Sequence, residues 1–194
     1  IGLSFMSDAI TPYREAQIFK DAFHILGKNP ILGILTGAVV TAIIQSSSAS
    51  VGILQTLALN GIVNFRSAIF ITLGQNIGTC VTALISSTGA HRTAKRAAVI
   101  HLLFNVCGTV LFGILMYLLF WFNGSLADSS ISTVQISIFH TIFNVTNTLL
   151  LFPFANQLVK LSGIIIKEKE DTQKTEITVL KDNLDDRILE TPPF

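Results

Sequence analysis

The sequence predicts an all-α membrane protein, built from broken or re-entrant helices plus two long antiparallel spans. Three observations carry this. Only 13% of the 194 residues are charged, where a soluble domain has about a quarter. Half are hydrophobic and the mean hydropathy is +0.62. The charge is also segregated. Residues 30–65, 67–91, 97–127 and 129–159 contain no Asp, Glu, Lys or Arg, and about 20 apolar residues cross a bilayer.

The elements follow in chain order. Residues 1–10, IGLSFMSDAI, do not begin with Met and have the pattern of the end of a helix; the end of a truncated transmembrane helix is expected there. Residues 11–30 mix charge and apolarity. Ile18, Phe19, Ala22, Phe23, Ile25 and Leu26 share one helical face that Arg14, Lys20 and Asp21 avoid. This fits an amphipathic helix on the membrane surface or an ordinary connecting helix. Residues 31–160 form the expected transmembrane repeat. Within it, 31–65 is long enough to span but is interrupted by Gly33, Gly37, Gly52, Gly61 and the run QSSSAS at 45–50. Residues 67–88 are interrupted by GQNIGT at 74–79. Both stretches are expected to be pairs of short helices, because irregular backbone at membrane depth survives only inside protein or beside a polar cavity.

After the basic cluster RTAKR at 92–96, a continuous helix is predicted from about Ala94 to Phe122. A polar turn at 123–130 and a second long helix from about Ile131 to Lys160 follow, with a bend at Pro153. Arg92–Arg96 and the basic end beyond Lys160 bracket this pair. The positive-inside rule puts both on the cytoplasmic side and the 123–130 turn outside. Residues 161–194 become a charged cytoplasmic linker. The chain also repeats itself: HLLFNVCGT at 101–109 and HTIFNVTNT at 140–148 share H-x-x-F-N-V-x-x-T. The shared His, Phe, Asn and Thr, at i, i+3, i+4 and i+8, fall on one helical face in each copy.

The polar residues inside these spans need a reason. One or two serines would be ordinary helix-packing residues. Four serines with a glutamine are more than packing requires, since a buried amide without a partner is costly. Hydroxyl and amide oxygens with freed carbonyls form a neutral cage suited to Na⁺, and the N–H ends of half-helices suit an anion. Gln75, Asn76, Thr79 and Thr82 supply a second set of such groups. His101 and His140 each have an Asn one turn on, Asn105 and Asn144. Helix–helix hydrogen bonds are favoured for them over proton relay. No Walker motif, nucleophile–base pair, metal-ligand spacing or basic–aromatic surface is present, so neither an enzyme nor a nucleic-acid binder is expected. Cys80 and Cys107 are expected to be small packing residues.

The stretches GAVVTAIIQSSSASVGILQTLA, LGQNIGTCVTALIS, AKRAAVIHLLFN and HTIFNVTNTLLLFPF resemble the type II sodium–phosphate cotransporter family, in its bacterial branch. The resemblance covers about Ile1 to Phe154. It implies a secondary transporter of two inverted repeats, each with a QSSS segment, of which this chain holds the second. It implies phosphate binding by Ser46, Ser47 and Ser48. For the coupling ion, sodium, it implies Gln45, Ser48, Ser50, Asn76 and Thr79, with Gln75 and Thr82 lining the site. No other cofactor is implied. Two positions depart from the family pattern: Gln75 stands where a small residue is common, and Cys80 where threonine is. The tail LDDRILETPP resembles the linker that precedes a PhoU-like helical domain. The expected partners are inorganic phosphate, sodium, the lipid bilayer, an N-terminal repeat and that PhoU-like domain, in a bacterial inner membrane. Phosphate export, transport of another anion, and a membrane anchor for a phosphate-signalling domain are the alternatives.

Overall fold

A computed structural model describes residues 29–167 of the chain. The expected helix end at 1–10, the amphipathic segment to residue 28 and the linker beyond 167 lie outside the described residues.

Helix α1 spans Pro30–Ile44 and α2 spans Ser47–Leu59. Asn29 starts α1, its Oδ1 accepting from the Ile31 and Leu32 amides at 3.0 and 3.4 Å, with Pro30 at a position that needs no donor. The predicted interruption falls at Gln45 and Ser46. Gln45 closes α1 in the left-handed region, φ 56°, with its N–H on Thr41 O at 2.7 Å. Ser46 is extended and caps α2, its Oγ accepting from the Ala49 amide at 3.3 Å. Gly61, at φ 66°, then supplies the left-handed turn that ends α2.

Helix α3, Phe65–Ser86, corrects one expectation. GQNIGT does not break it; the helix runs through all 22 residues. The glycines serve close packing instead of unwinding. A Cβ on Gly74 would strike the backbone of Ile34, one on Gly37 the carbonyl of Ile71, and one on Gly78 the carbonyl of Ala38. The small face Gly33, Gly37 and Thr41 of α1 thus lies directly on α3. The side chains of the motif satisfy the helix locally. Asn76 Nδ2 donates to Thr72 O at 2.8 Å, and Thr79 Oγ1 to Asn76 O at 2.6 Å.

Helix α4 spans Arg92–Phe122, 31 residues or about 46 Å. A four-residue helix α5, Gly124–Ala127, lies within the predicted turn. Helix α6, Thr133–Leu151, opens on a capping box of Ser132 and Gln135. Pro153 interrupts the second long helix as predicted. A 3-10 turn, Phe152–Phe154, separates α6 from α7, Ala155–Ile165. The second span is antiparallel to α4. The Phe112 and Phe143 rings meet edge to face at 5.0 Å, Asn147 lies against Gly108, and Arg96 Nε donates to Ile166 O at 3.1 Å.

The core surrounds α3. Phe70, Ile69, Leu73, Leu54, Ile136 and Phe143 are all essentially inaccessible. Helices α3, α4 and α6 with α7 are long and apolar enough to cross a membrane. The outer faces of α4 and α6, including Leu111, Leu115, Leu118, Ile138, Val145 and Leu149, are exposed and apolar, as a lipid-facing surface must be.

The hairpin of α1 and α2 is re-entrant in form. Pro30 lies beside Arg66 at the start of α3, and Thr41 beside Gly78 in its second half. The chain then turns at Gln45. Ser50 is level with Gln75, and Gln55 reaches Thr133 and Ser137 at the start of α6. Both ends of the hairpin therefore lie at the end of the bundle where α3 and α6 begin. Its tip stops part-way along α3.

Candidate functional site

The tip of the hairpin places two kinds of group together. The first is a helix N-terminus. Ser47 and Ser48 are the first residues of α2, so their N–H groups have no intrahelical acceptor. Gln45, Ser46 and Ser48 are exposed and Ser47 half-buried. The second is a set of buried oxygens where α1, α2 and α3 meet. Thr41 Oγ1, Ser50 Oγ and Gln75 Oε1 are buried with no hydrogen-bond partner among the described residues. A buried polar atom left unpaired costs about 1–3 kcal/mol. All three are neutral oxygens on the packed helices α1, α2 and α3, groups that a small hard cation or ordered water can satisfy.

Gln75 fixes the geometry. Its Nε2 donates to Ser50 O at 2.9 Å, tying the first turn of α2 to the middle of α3. The amide thereby presents its oxygen at the junction. This gives a physical account of one departure from the family pattern: a small residue at 75 could not make this bond. Cys80, the other departure, is fully buried on the α4 side, where its Sγ accepts from Asn105 Nδ2 at 3.4 Å.

Asn76 turns towards α6. Its Oδ1 lies 3.2 Å from His140 Nε2 and 3.4 Å from Asn144 Nδ2. The two copies of H-x-x-F-N-V-x-x-T make parallel contacts. In each, the Asn donates to the His carbonyl four residues back, at 3.0 Å from Asn105 and 2.8 Å from Asn144. In each it also reaches one face of α3, at Cys80 or at Asn76, four residues apart. The histidines differ. His140 is half-buried against Asn76, whereas His101 is exposed and joins these contacts through its carbonyl alone.

The residues inferred from sequence thus fall into groups. Gln45, Ser46, Ser47, Ser48, Ser50 and Gln75 gather at the tip. Asn76 and Thr79 lie one turn on, with Thr79 half-buried and Thr82 exposed. Thr41 was absent from the expected set. Its signal was its place one turn before Gln45, on the same small face as Gly33 and Gly37. Thr72, whose carbonyl holds Asn76, was also absent; it stands at i−4 from that residue.

Fold and site together define a helical membrane protein with a re-entrant, serine-tipped hairpin seated on a central span. The chain belongs to the Na⁺/Pi-cotransporter family, whose model matches residues 1–138. It is 32% identical over 168 residues to the uncharacterized protein YqeW of Bacillus subtilis (strain 168), covering 86% of this chain and 54% of that protein. It is 29% identical over 195 residues to YjbB of Escherichia coli (strain K12), named as a candidate inorganic phosphate export protein, covering 99% of this chain and 34% of that one. It is also 42% identical over 69 residues to the sodium-dependent phosphate transport protein 2A of Rattus norvegicus, covering 36% of this chain and 10% of that protein. The chain therefore spans about half or less of these relatives. No solved structure gives a significant match.

Proposed function

We propose that this chain is one repeat of a transporter that moves inorganic phosphate across the bacterial inner membrane together with sodium. The observation that carries the reading is the junction at the hairpin tip, where unpaired neutral oxygens of Thr41, Ser50 and Gln75 lie beneath an exposed helix N-terminus. The Ser46, Ser47 and Ser48 hydroxyls and the free N–H groups of α2 contact phosphate, which a helix N-terminus favours. Gln45, Ser48, Ser50 and Gln75 contribute oxygens towards sodium, Asn76 and Thr79 stand one turn on along α3, and Thr82 lines the approach. Holding an anion and a cation side by side lowers the cost of bringing either to membrane depth. His101, Asn105, His140 and Asn144 hold the spans around α3. Arg92–Arg96 face the cytoplasm and residues 123–130 the outside. The names of the phosphate-transporting relatives support the choice of anion. The name of the rat protein supports sodium, and that of the Escherichia coli protein is consistent with export.

The test is phosphate flux by the full-length protein in liposomes. Flux that requires sodium and is lost on replacement by choline supports the coupling; flux indifferent to the swap rejects it. Ser47→Ala is expected to lower phosphate flux at least about tenfold, the loss of a hydrogen bond to a charged group. Undiminished flux in that variant rejects the site. Competition by sulfate and arsenate identifies the anion.

A further inference from the structure

At the end of the bundle opposite Arg92–Arg96, a cavity of about 220 Å³ opens between the starts of α1 and α3 and the end of α4. Pro30, Arg66, Phe70, Tyr117, Phe120 and Trp121 line it. Arg66 is the one charged residue among them. Among the described residues its nearest carboxylate is Asp128, at 3.9 Å from Nη2, and that side chain is 73% exposed. An exposed pair at this distance holds a guanidinium weakly. The Arg66 Nε is buried and has no hydrogen-bond partner among the described residues. One turn further into α3, Phe70 packs edge to face on Phe120 at 6.0 Å, and Phe120 meets Phe65, next to Arg66, at 6.1 Å. Tyr117 and Trp121, exposed and tilted against each other at 6.3 Å, line the α4 side, with Trp121 nearer the end of that helix.

The order of chemistry along this cavity is that of a lipid. A cation with unused donors shares the cavity with amphipathic aromatic rings, which seek the headgroup layer. Beside it is an aromatic, uncharged wall suited to glycerol and the first acyl carbons. A guanidinium fork matches two phosphate oxygens in one plane. We propose that this cavity binds an anionic glycerophospholipid, with its phosphodiester on Arg66 and its chains along Phe70 and Phe120. The shared chemistry, a phosphate group on a half-buried arginine, could also come from free inorganic phosphate; the apolar Phe70 wall favours the lipid. The proposal needs only that this end of the bundle meets a headgroup layer, so it does not depend on the transport reading or on which side faces out.

The test is native mass spectrometry of the full-length protein in detergent, titrated with phosphatidylglycerol, diacylglycerol or inorganic phosphate. Phosphatidylglycerol is expected to stay bound and diacylglycerol to dissociate. Arg66→Gln is expected to weaken phosphatidylglycerol binding about tenfold, with Arg66→Lys in between. Trp121→Ala, at a residue already 72% exposed, tests the rim without threatening the fold and is expected to weaken binding several-fold. Equal binding by wild type, Arg66→Gln and Trp121→Ala overturns the proposal. So does Arg66-dependent binding of inorganic phosphate that displaces the lipid at millimolar concentration.

Discussion

Gln45 and Gln75 sit on either side of the hairpin tip and have opposite roles. Gln45 holds a left-handed backbone, which costs a non-glycine residue roughly 1–2 kcal/mol. Glycine would remove that strain, so the amide at 45 has another reason to be there. Gln75 is buried and bonds Ser50 O with one end while leaving its oxygen unpaired. Gln75→Leu removes both functions. It should change stability by about 1 kcal/mol or less, since the lost hydrogen bond to Ser50 O, a carbonyl still paired within α2, is offset by removal of an unpaired buried oxygen, and should raise the sodium concentration for half-maximal flux. Ser50→Ala separates the two. It leaves the Gln75 bond intact, because that bond is to the backbone, and removes only a buried hydroxyl that has no partner. Thermal melting in detergent should therefore be unchanged or slightly higher. Sodium half-activation should rise roughly tenfold, as for loss of one polar contact to a charge. A lower melting temperature with unaltered sodium dependence would make Ser50 a packing residue and nothing more.

Among the elements, the pairing of α1 with α3 decides how deep the tip can go. Gly37 and Gly74 let the two backbones touch, and the atoms facing each glycine are main-chain atoms that cannot swing aside. Gly74→Ala should force α1 away from α3 and destabilise the fold by about 1–3 kcal/mol or more, as overpacking does. Gly89→Ala meets open space and should change stability by less than about 0.5 kcal/mol. Melting both variants in detergent checks the contrast; equal effects would show that the helices are not closely apposed. The same glycines explain what the sequence left ambiguous. A glycine in an apolar run marks either an unwound backbone or a close neighbour, and one sequence does not distinguish them without the facing helix. QSSS was legible as a break because four serines with a glutamine in an apolar run are more than helix packing requires. GQNIGT looked alike, but its glycines pack on α1 and the side chains of Asn76 and Thr79 find partners on carbonyls of their own helix, and α3 runs through. Pro153 was legible because its effect is local. Thr41, Gln75 and Ser50 meet only through the fold, so their shared lack of partners could not be read from any one segment.

At the scale of the whole molecule, the hairpin and the three spans make a claim about sidedness that can be measured. Helix α1 is about 22 Å long, short of the hydrocarbon core of about 30 Å, and α2 runs back beside it. Gly61 follows α2, and Phe65 N donates to Ser129 O at 2.9 Å, so the α2–α3 turn and the 123–130 turn share one end. Arg92 Nη1 donates to Lys167 O at 3.0 Å at the other. If α1 and α2 formed a full crossing, residues 61 and 30 would emerge on opposite sides. In the re-entrant form they emerge together. The background has every exposed cysteine of the full-length protein replaced by serine, Cys107 among them, while Cys80 is buried. Single cysteines at Gly61, Asp128 and Thr93 would be introduced into this full-length protein. A membrane-impermeant maleimide applied to intact cells should label Gly61→Cys and Asp128→Cys alike and spare Thr93→Cys until the membrane is permeabilised. Labelling of Gly61→Cys and Asp128→Cys from opposite sides would reject the re-entrant hairpin. Labelling of both from inside, with Thr93→Cys outside, would keep the hairpin and reverse the orientation that the basic cluster implies.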